Sequence, residues 1–101
     1  MNKELYPIGI VSKQLSLHEQ TIREYENQNL VKPLRKNGRR YFSQEDVNRI
    51  SLISTLTQEM GLNLAGVSVV FHLANKMEMN EDDLLDFIID HKEQLLLSNK
   101  G

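Results

Sequence analysis

The chain has no cysteine and no tryptophan. Without thiols it builds neither a disulfide scaffold nor a Cys zinc site, and a thiol nucleophile is excluded. Its apolar runs stop at three or four residues, as in Leu95-Leu96-Leu97. None approaches the roughly 20 apolar residues that cross a bilayer, and the opening MNKELYPIG has no hydrophobic signal-peptide segment. A soluble cytoplasmic protein with no membrane partner is expected. Two prolines and five glycines leave little room for irregular chain. The 101 residues suffice for one small core, burying about two-thirds of the unfolded surface.

Catalytic motifs are missing too. There is no Gly-rich phosphate loop, no nucleophile motif and no H-E-x-x-H. His18, His72 and His91 lie far apart without helical ligand spacing. The acidic clusters at Glu45-Asp46 and Glu81-Asp82-Asp83 suit helix starts better than acid/base pairs. Neither an enzyme nor a bound cofactor or metal is expected.

What is present is segregated charge. Residues 1–50 hold nine Lys and Arg against six acidic residues, a net +3, whereas residues 51–101 hold three against eight, a net −5. The overall −2 conceals a basic half that calls for an anionic partner.

The periodicity resolves into helices and one hairpin. Ile8, Val11 and Leu15 have helical spacing behind Pro7. A break at Ser16-Leu17-His18 precedes a second helical segment, Glu19 to Gln28, with Ile22 and Tyr25 three apart. Asn37-Gly38 is a two-residue hairpin turn in which both residues tolerate positive φ. Arg35, Lys36, Arg39 and Arg40 flank it. Ser43 caps a long helix whose Val47, Ile50, Ile53, Leu56 and Met60 trace one face, with Gly61 as its stop. Asn63 and Asn80 cap two more. The last helix is apolar over more than one stripe: Leu84, Ile88, His91 and Leu95 follow coiled-coil stagger, with Leu85, Ile89 and Leu96 beside them. The surplus points to a partner helix.

The order is therefore helix, turn, helix, basic hairpin, then three helices, a mostly α winged helix-turn-helix with a β-hairpin wing and a C-terminal dimerisation helix. Such a fold seats the second helix in the major groove. Its candidate contacts are His18, Gln20, Thr21, Arg23 and Tyr25; Gln20 suits adenine, Arg23 guanine or phosphate, and Thr21 a thymine methyl. A salt bridge to Glu19 or Glu26 is the competing role for Arg23. Four cations around a tight turn stabilise a hairpin poorly, because like charges repel across strands. They present charge well to a phosphate backbone.

HEQTIREYENQNLVKP, the basic wing, RRYFSQEDVNRI and GLNLAGV together resemble the DNA-binding region of the MerR family of bacterial transcription regulators. Thr21, Ile22, Arg23, Tyr25, Glu26, Leu30, Arg39 and Tyr41 match that pattern, over residues 6 to about 73. His18 to Arg23 is similar to the HspR heat-shock repressors. Gly61 to Gly66 is similar to both HspR and the GlnR/TnrA nitrogen regulators, and Pro7 to Val11 to GlnR/TnrA. Asn29 stands where many members have Gly. The metal-sensing branch's cysteines are absent.

The resemblance implies a DNA-binding domain at 1–75 and a dimerisation tail at 76–101, with Leu84, Ile88, His91 and Leu95 pairing two copies. Double-stranded DNA is the expected partner and a homodimer on an inverted repeat the expected state, with a protein effector as a further partner. Repression, which needs only occupancy of a promoter, is the expected sign. The alternatives are an excisionase-like architectural DNA-binding protein and an adaptor acting through the acidic tail helix.

Overall fold

Positive-φ turns and side-chain caps divide the chain, and they decide where each helix begins and ends. The computed structural model describes residues 4–98. Within them the elements run β1 (Tyr6–Pro7), α1 (Ile8–Leu15), α2 (Glu19–Asn27), β2 (Leu34–Lys36), β3 (Arg39–Phe42), α3 (Gln44–Ser54), a π-helical continuation of α3 (Thr55–Glu59), α4 (Leu64–Lys76) and α5 (Glu81–Ser98). The architecture is the mostly α winged helix-turn-helix expected from the sequence.

By packing, the chain forms two compact units, one ending at Ser51 and the other starting at Leu52. Residue 75, where the sequence reading divides the chain, lies near the end of α4. The last three residues of the expected tail lie outside the described residues.

In the first unit, α1 packs on α2, and Val11, Leu17, Ile22, Tyr25, Leu30, Val31, Phe42, Val47 and Ile50 form the buried core. Ser16, with φ 54°, turns the chain between the two helices; its left-handed backbone lets the Leu17 N–H return to the Ser12 carbonyl at 3.1 Å. The hairpin turn has the expected geometry, with Asn37 at φ 54° and Gly38 at φ 78°. The sheet adds a strand that the sequence reading does not anticipate. β1 pairs antiparallel with β3, Tyr6 opposite Phe42 and Pro7 opposite Tyr41, giving the order β1-β3-β2. Pro7, expected in the first helical turn, is the extended residue immediately before α1.

Three helix starts are capped as their sequences suggest. Asp46 N–H donates to Ser43 Oγ at 3.1 Å while Ser43 N–H donates to the Asp46 carboxylate at 3.0 Å. Asn80 and Asp83 form the same reciprocal box. Asn63 Oδ1 accepts from Gly66 N–H at 2.8 Å. Each box satisfies N–H groups that the helix itself cannot pair.

In the second unit, Leu52, Ile53, Leu56, Met60, Val67, Ala74, Leu84 and Ile88 are buried. The long helix expected from Ser43 to Met60 widens at its end: Met60 N–H reaches the Thr55 carbonyl, five residues back. The Thr57 hydroxyl contacts the Ile53 and Ser54 carbonyls at 3.0 and 3.2 Å, competing for acceptors within the helix ladder. Gly61, at φ 76°, then stops the helix as expected.

Asn29 also holds a left-handed backbone, φ 60°, where Leu30 N–H returns to the Tyr25 carbonyl to close α2. Glycine adopts that conformation without strain, asparagine tolerates it, and a β-branched residue does not. Asn29→Val is expected to be about 1–2 kcal/mol less stable than Asn29→Gly, read as a lower urea midpoint at unchanged slope. Equal midpoints would mean that this turn does not keep its positive φ.

Candidate nucleic-acid interface

The start of α2 is open to solvent because its anchors lie on the other face. His18 precedes the helix in extended conformation and its side chain makes no capping bond. His18 and Gln20 are exposed and Thr21 is half-buried. Ile22 and Tyr25, three apart, point inward together. Tyr25 is 3% exposed, which corrects its expected place among the DNA contacts: the spacing that makes it part of the helix's apolar stripe takes it out of reach of a groove. Arg23 makes the ion pair that competed with its base-reading role, to Glu19 at 3.2 Å one helical turn back. Both side chains remain substantially exposed, so solvent screens the pair.

The wing cations fall into two groups. Antiparallel register places Arg35 opposite Arg40 and Lys36 opposite Arg39. Glu26, on α2, reaches between the first two: Arg40 Nε donates to Glu26 Oε1 at 2.5 Å, and Arg35 donates to Oε2 at 3.0 Å. The Glu26 side chain is 18% exposed and that of Arg40 21%, against 49% for Arg35. Partial burial raises the Glu26 pKa, but the hydrogen bonds from Arg40 and Arg35, with their positive charge, more than offset this and hold it below the ordinary glutamate value. The side chains of Lys36 and Arg39 are exposed and have no hydrogen-bonding or ionic partner among the described residues.

Between α2 and the wing lies a groove of about 270 Å³, lined by Pro7, Ile8, Arg23, Gly38, Arg39, Arg40 and Tyr41. It brings Arg23 together with two of the four expected wing residues. Arg35 and Lys36 do not line it. Sequence reasoning missed two residues that organise this site. One is Glu26, which the sequence marks as a family match and an ion-pair candidate for Arg23 but not as the partner of Arg35 and Arg40. The other is Arg49, whose Nε–H donates to the Leu30 carbonyl; nothing in its spacing announces that contact.

The expected dimerisation residues separate as well. Leu84 and Ile88 are 7% and 4% exposed, packed into the second unit's own interior, whereas His91 and Leu95 are half-buried. The free apolar surface runs elsewhere, through Val69, Leu73, Met77, Phe87 and Ile89. Part of it borders an apolar groove of about 270 Å³ between α4 and α5, lined by Val70, Leu73, Ala74, Met77, Met79, Leu84 and Phe87. The Phe87 and His91 rings stack at 4.3 Å. His91 Nδ1 lies 2.8 Å from the Phe87 carbonyl oxygen, a contact that requires the proton on Nδ1. No group of three or more His, Asp or Glu residues among the described residues converges on a metal-sized site, and no described helix is long and apolar enough to cross a membrane.

Residues 6–73 match the family model for MerR HTH family regulatory proteins. The chain belongs to the MerR HTH family. Among its relatives are the HTH-type transcriptional regulators GlnR of Bacillus anthracis and Bacillus cereus, each 46% identical over 67 residues, 65% of this chain and 51% of the relative. A Streptomyces coelicolor protein that carries the name heat shock protein HspR is 35% identical over 74 residues, 72% of this chain and 49% of that protein. The chain thus spans about half the length of the curated relatives it matches. The MerR match begins at β1 and includes α2, the wing and nearly all of α4, so it contains the whole arginine-lined groove.

The lowered Glu26 pKa makes the tie between wing and helix sensitive to acid. A carboxyl depressed on folding contributes stability that is complete above its unfolded value, about 4.3 for glutamate. That contribution is lost as pH falls through the lower folded value. Stability is therefore expected to fall more steeply below about pH 4.3 in the parent than in Glu26→Gln, measured by urea unfolding across pH. Parallel curves would mean that Glu26 carries no folded-state shift.

Proposed function

We propose that this protein is a sequence-specific DNA-binding transcription regulator that acts as a homodimer on an inverted-repeat operator, with repression as its mode. The observation that carries the reading is the meeting of Arg23 of α2 with Arg39 and Arg40 of the wing around one groove, on a helix whose start is exposed. Exposed Gln20 and Thr21 have the chemistry to read base edges in a major groove. Lys36 and Arg39, without internal counter-charge, have the chemistry to hold phosphate. Arg23 lines the same groove while paired to Glu19, so it serves as a phosphate contact or exchanges its carboxylate partner for a base edge. Membership of the MerR HTH family and the similarity to transcriptional regulators support the reading.

The test is selection of bound sequences from random duplex DNA, followed by affinities on the selected site and on unrelated DNA. Gln20→Ala is expected to cost about 1–3 kcal/mol on the selected site, with a smaller loss on unrelated DNA. Equal losses would reassign Gln20 to the phosphate backbone. The double change Lys36→Ala, Arg39→Ala should flatten the dependence of log affinity on log salt by up to about 2, roughly 0.9 per lost phosphate contact, with the thermal midpoint unchanged. An unaltered slope would remove the wing from the interface.

A homodimer needs a surface that its own fold leaves open. Leu73, Met77 and Phe87 meet that need better than Leu84 and Ile88, which are already buried. In this reading the second copy covers the apolar groove between α4 and α5, beside His91, which stacks on Phe87. Leu73→Glu with Phe87→Glu is expected to sediment as a folded monomer at concentrations where the parent is a dimer. Ile88→Asp should instead destabilise each chain, because it places a charge in an apolar interior. A parent that sediments as a monomer, alone and on DNA, would overturn the dimer.

A further inference from the structure

Like charges directly opposite on a ribbon repel, and this wing carries two such pairs in succession: Arg35 with Arg40, then Lys36 with Arg39. Glu26 bridges the first pair from α2, at 3.0 and 2.5 Å. The second pair has no anion among the described residues. The base of the ribbon is anchored by β1 pairing with β3 and by buried Phe42, but its outer part, Arg35–Lys36 against Arg39–Arg40, is two-stranded and holds its orientation poorly by its own ladder. The aim of that outer part therefore depends on what ties it down.

We propose that Glu26 is the positioning residue of this interface: it ties Arg35 and Arg40 to α2, sets the wing beside the recognition helix, and leaves Lys36 and Arg39 as the cations offered to DNA phosphate. The second half of this statement rests on the DNA-binding reading above.

The geometry carries the assignment in three steps. First, Glu26 follows Tyr25, which is locked in the core, so the carboxylate projects from a rigid point. Second, its partner Arg40 lies between Arg39 and Tyr41 on β3, and both neighbours line the groove with Arg23. Holding residue 40 fixes how residues 39 and 41 face Arg23. Third, the Glu26 and Arg40 side chains are mostly buried, so salt screens this contact less than it screens a surface pair. Glu26 also subtracts charge from the interface. It engages two guanidiniums that would otherwise bind any phosphate, which lowers sequence-independent affinity and favours the base-reading end of α2.

Glu26→Gln removes the charge while keeping the size, and two measurements read it. The first needs no DNA: limited trypsin digestion of the full chain, following cleavage after Lys36 and Arg39. Release of the wing should raise the initial cleavage rate at both sites several-fold while helical circular dichroism stays at the parent level. The second is the salt dependence of binding to unrelated duplex DNA. It should steepen by up to about 2 in log–log slope as Arg35 and Arg40 gain phosphate, and the preference for the selected site should shrink. A wing that merely lost stability would flatten that slope or leave it alone.

Unchanged cleavage would overturn the tie, whatever the DNA measurement gives. Faster cleavage with an unchanged or flatter slope would overturn the division of labour among the four cations. If the parent itself binds no duplex DNA, the DNA-binding reading fails, and cleavage alone then judges the tie. Should Glu26→Gln lower the helical signal, Arg40→Gln removes the 2.5 Å contact from the ribbon side and should expose the same two cleavage sites.

Discussion

The tie between the wing and α2 depends on one carboxylate placed between two guanidiniums. Beyond the base that β1 and buried Phe42 anchor, the basic ribbon has two reasons not to stand: few ladder bonds and like charges facing each other across the strands. Glu26 answers from outside the ribbon, tying it to α2 and neutralising the Arg35–Arg40 pair. It can do so because α2 is itself fixed, with Ile22 and Tyr25 in the core and the turn after it held by Asn29's positive φ and by Arg49 on the Leu30 carbonyl. The order of dependence runs from the apolar stripe to the helix, from the helix to its carboxylate, and from the carboxylate to the wing. The groove beside Arg23 exists because each step constrains the next.

Much of this was readable from local chemistry. Asn37-Gly38 announces a two-residue turn, since few other pairs accept two positive φ angles in succession. Ser43 with Asp46, Asn63, and Asn80 with its acidic first turn announce helix starts, because a cap is a bond between near neighbours in sequence. The reading of α2 as a recognition helix rests on its position between a turn and a basic hairpin. What stayed hidden depends on partners far along the chain. β1 is two residues long and acquires its meaning only from pairing with β3. Glu26 and Arg40 are fourteen residues apart, and no periodicity links them. Tyr25 shows both limits at once. Its spacing from Ile22 marks the inward stripe, yet its match to a family motif drew it into the list of DNA contacts.

The tail helix shows why a wide apolar face does not by itself name its partner. Leu84, Ile88, His91 and Leu95 have the stagger of a seam between two chains, and the same stagger serves a helix that packs on its own unit. α5 uses it that way at Leu84 and Ile88. The surplus then lies on the flanks, at Phe87 and Ile89, and on α4 at Val69, Leu73 and Met77. Hydrophobic count announced a surplus; burial says which residues constitute it.

Charge separates the two surfaces further. The open cations of the first unit, Lys36 and Arg39, are suited to an anionic partner. Phe87 and Ile89 share α5 with exposed Asp82, Asp83, Asp86, Asp90 and Glu93, so two copies meeting there bring like charges together. In the proposed dimer, association must come from apolar burial working against electrostatic repulsion, which salt screens. On DNA the attraction is itself ionic and weakens as salt displaces it. The two associations therefore respond to ionic strength with opposite signs. Self-association is opposed most strongly at low salt, where the grip on phosphate is strongest, so DNA that holds two copies side by side supplies part of what the apolar surface must otherwise provide alone.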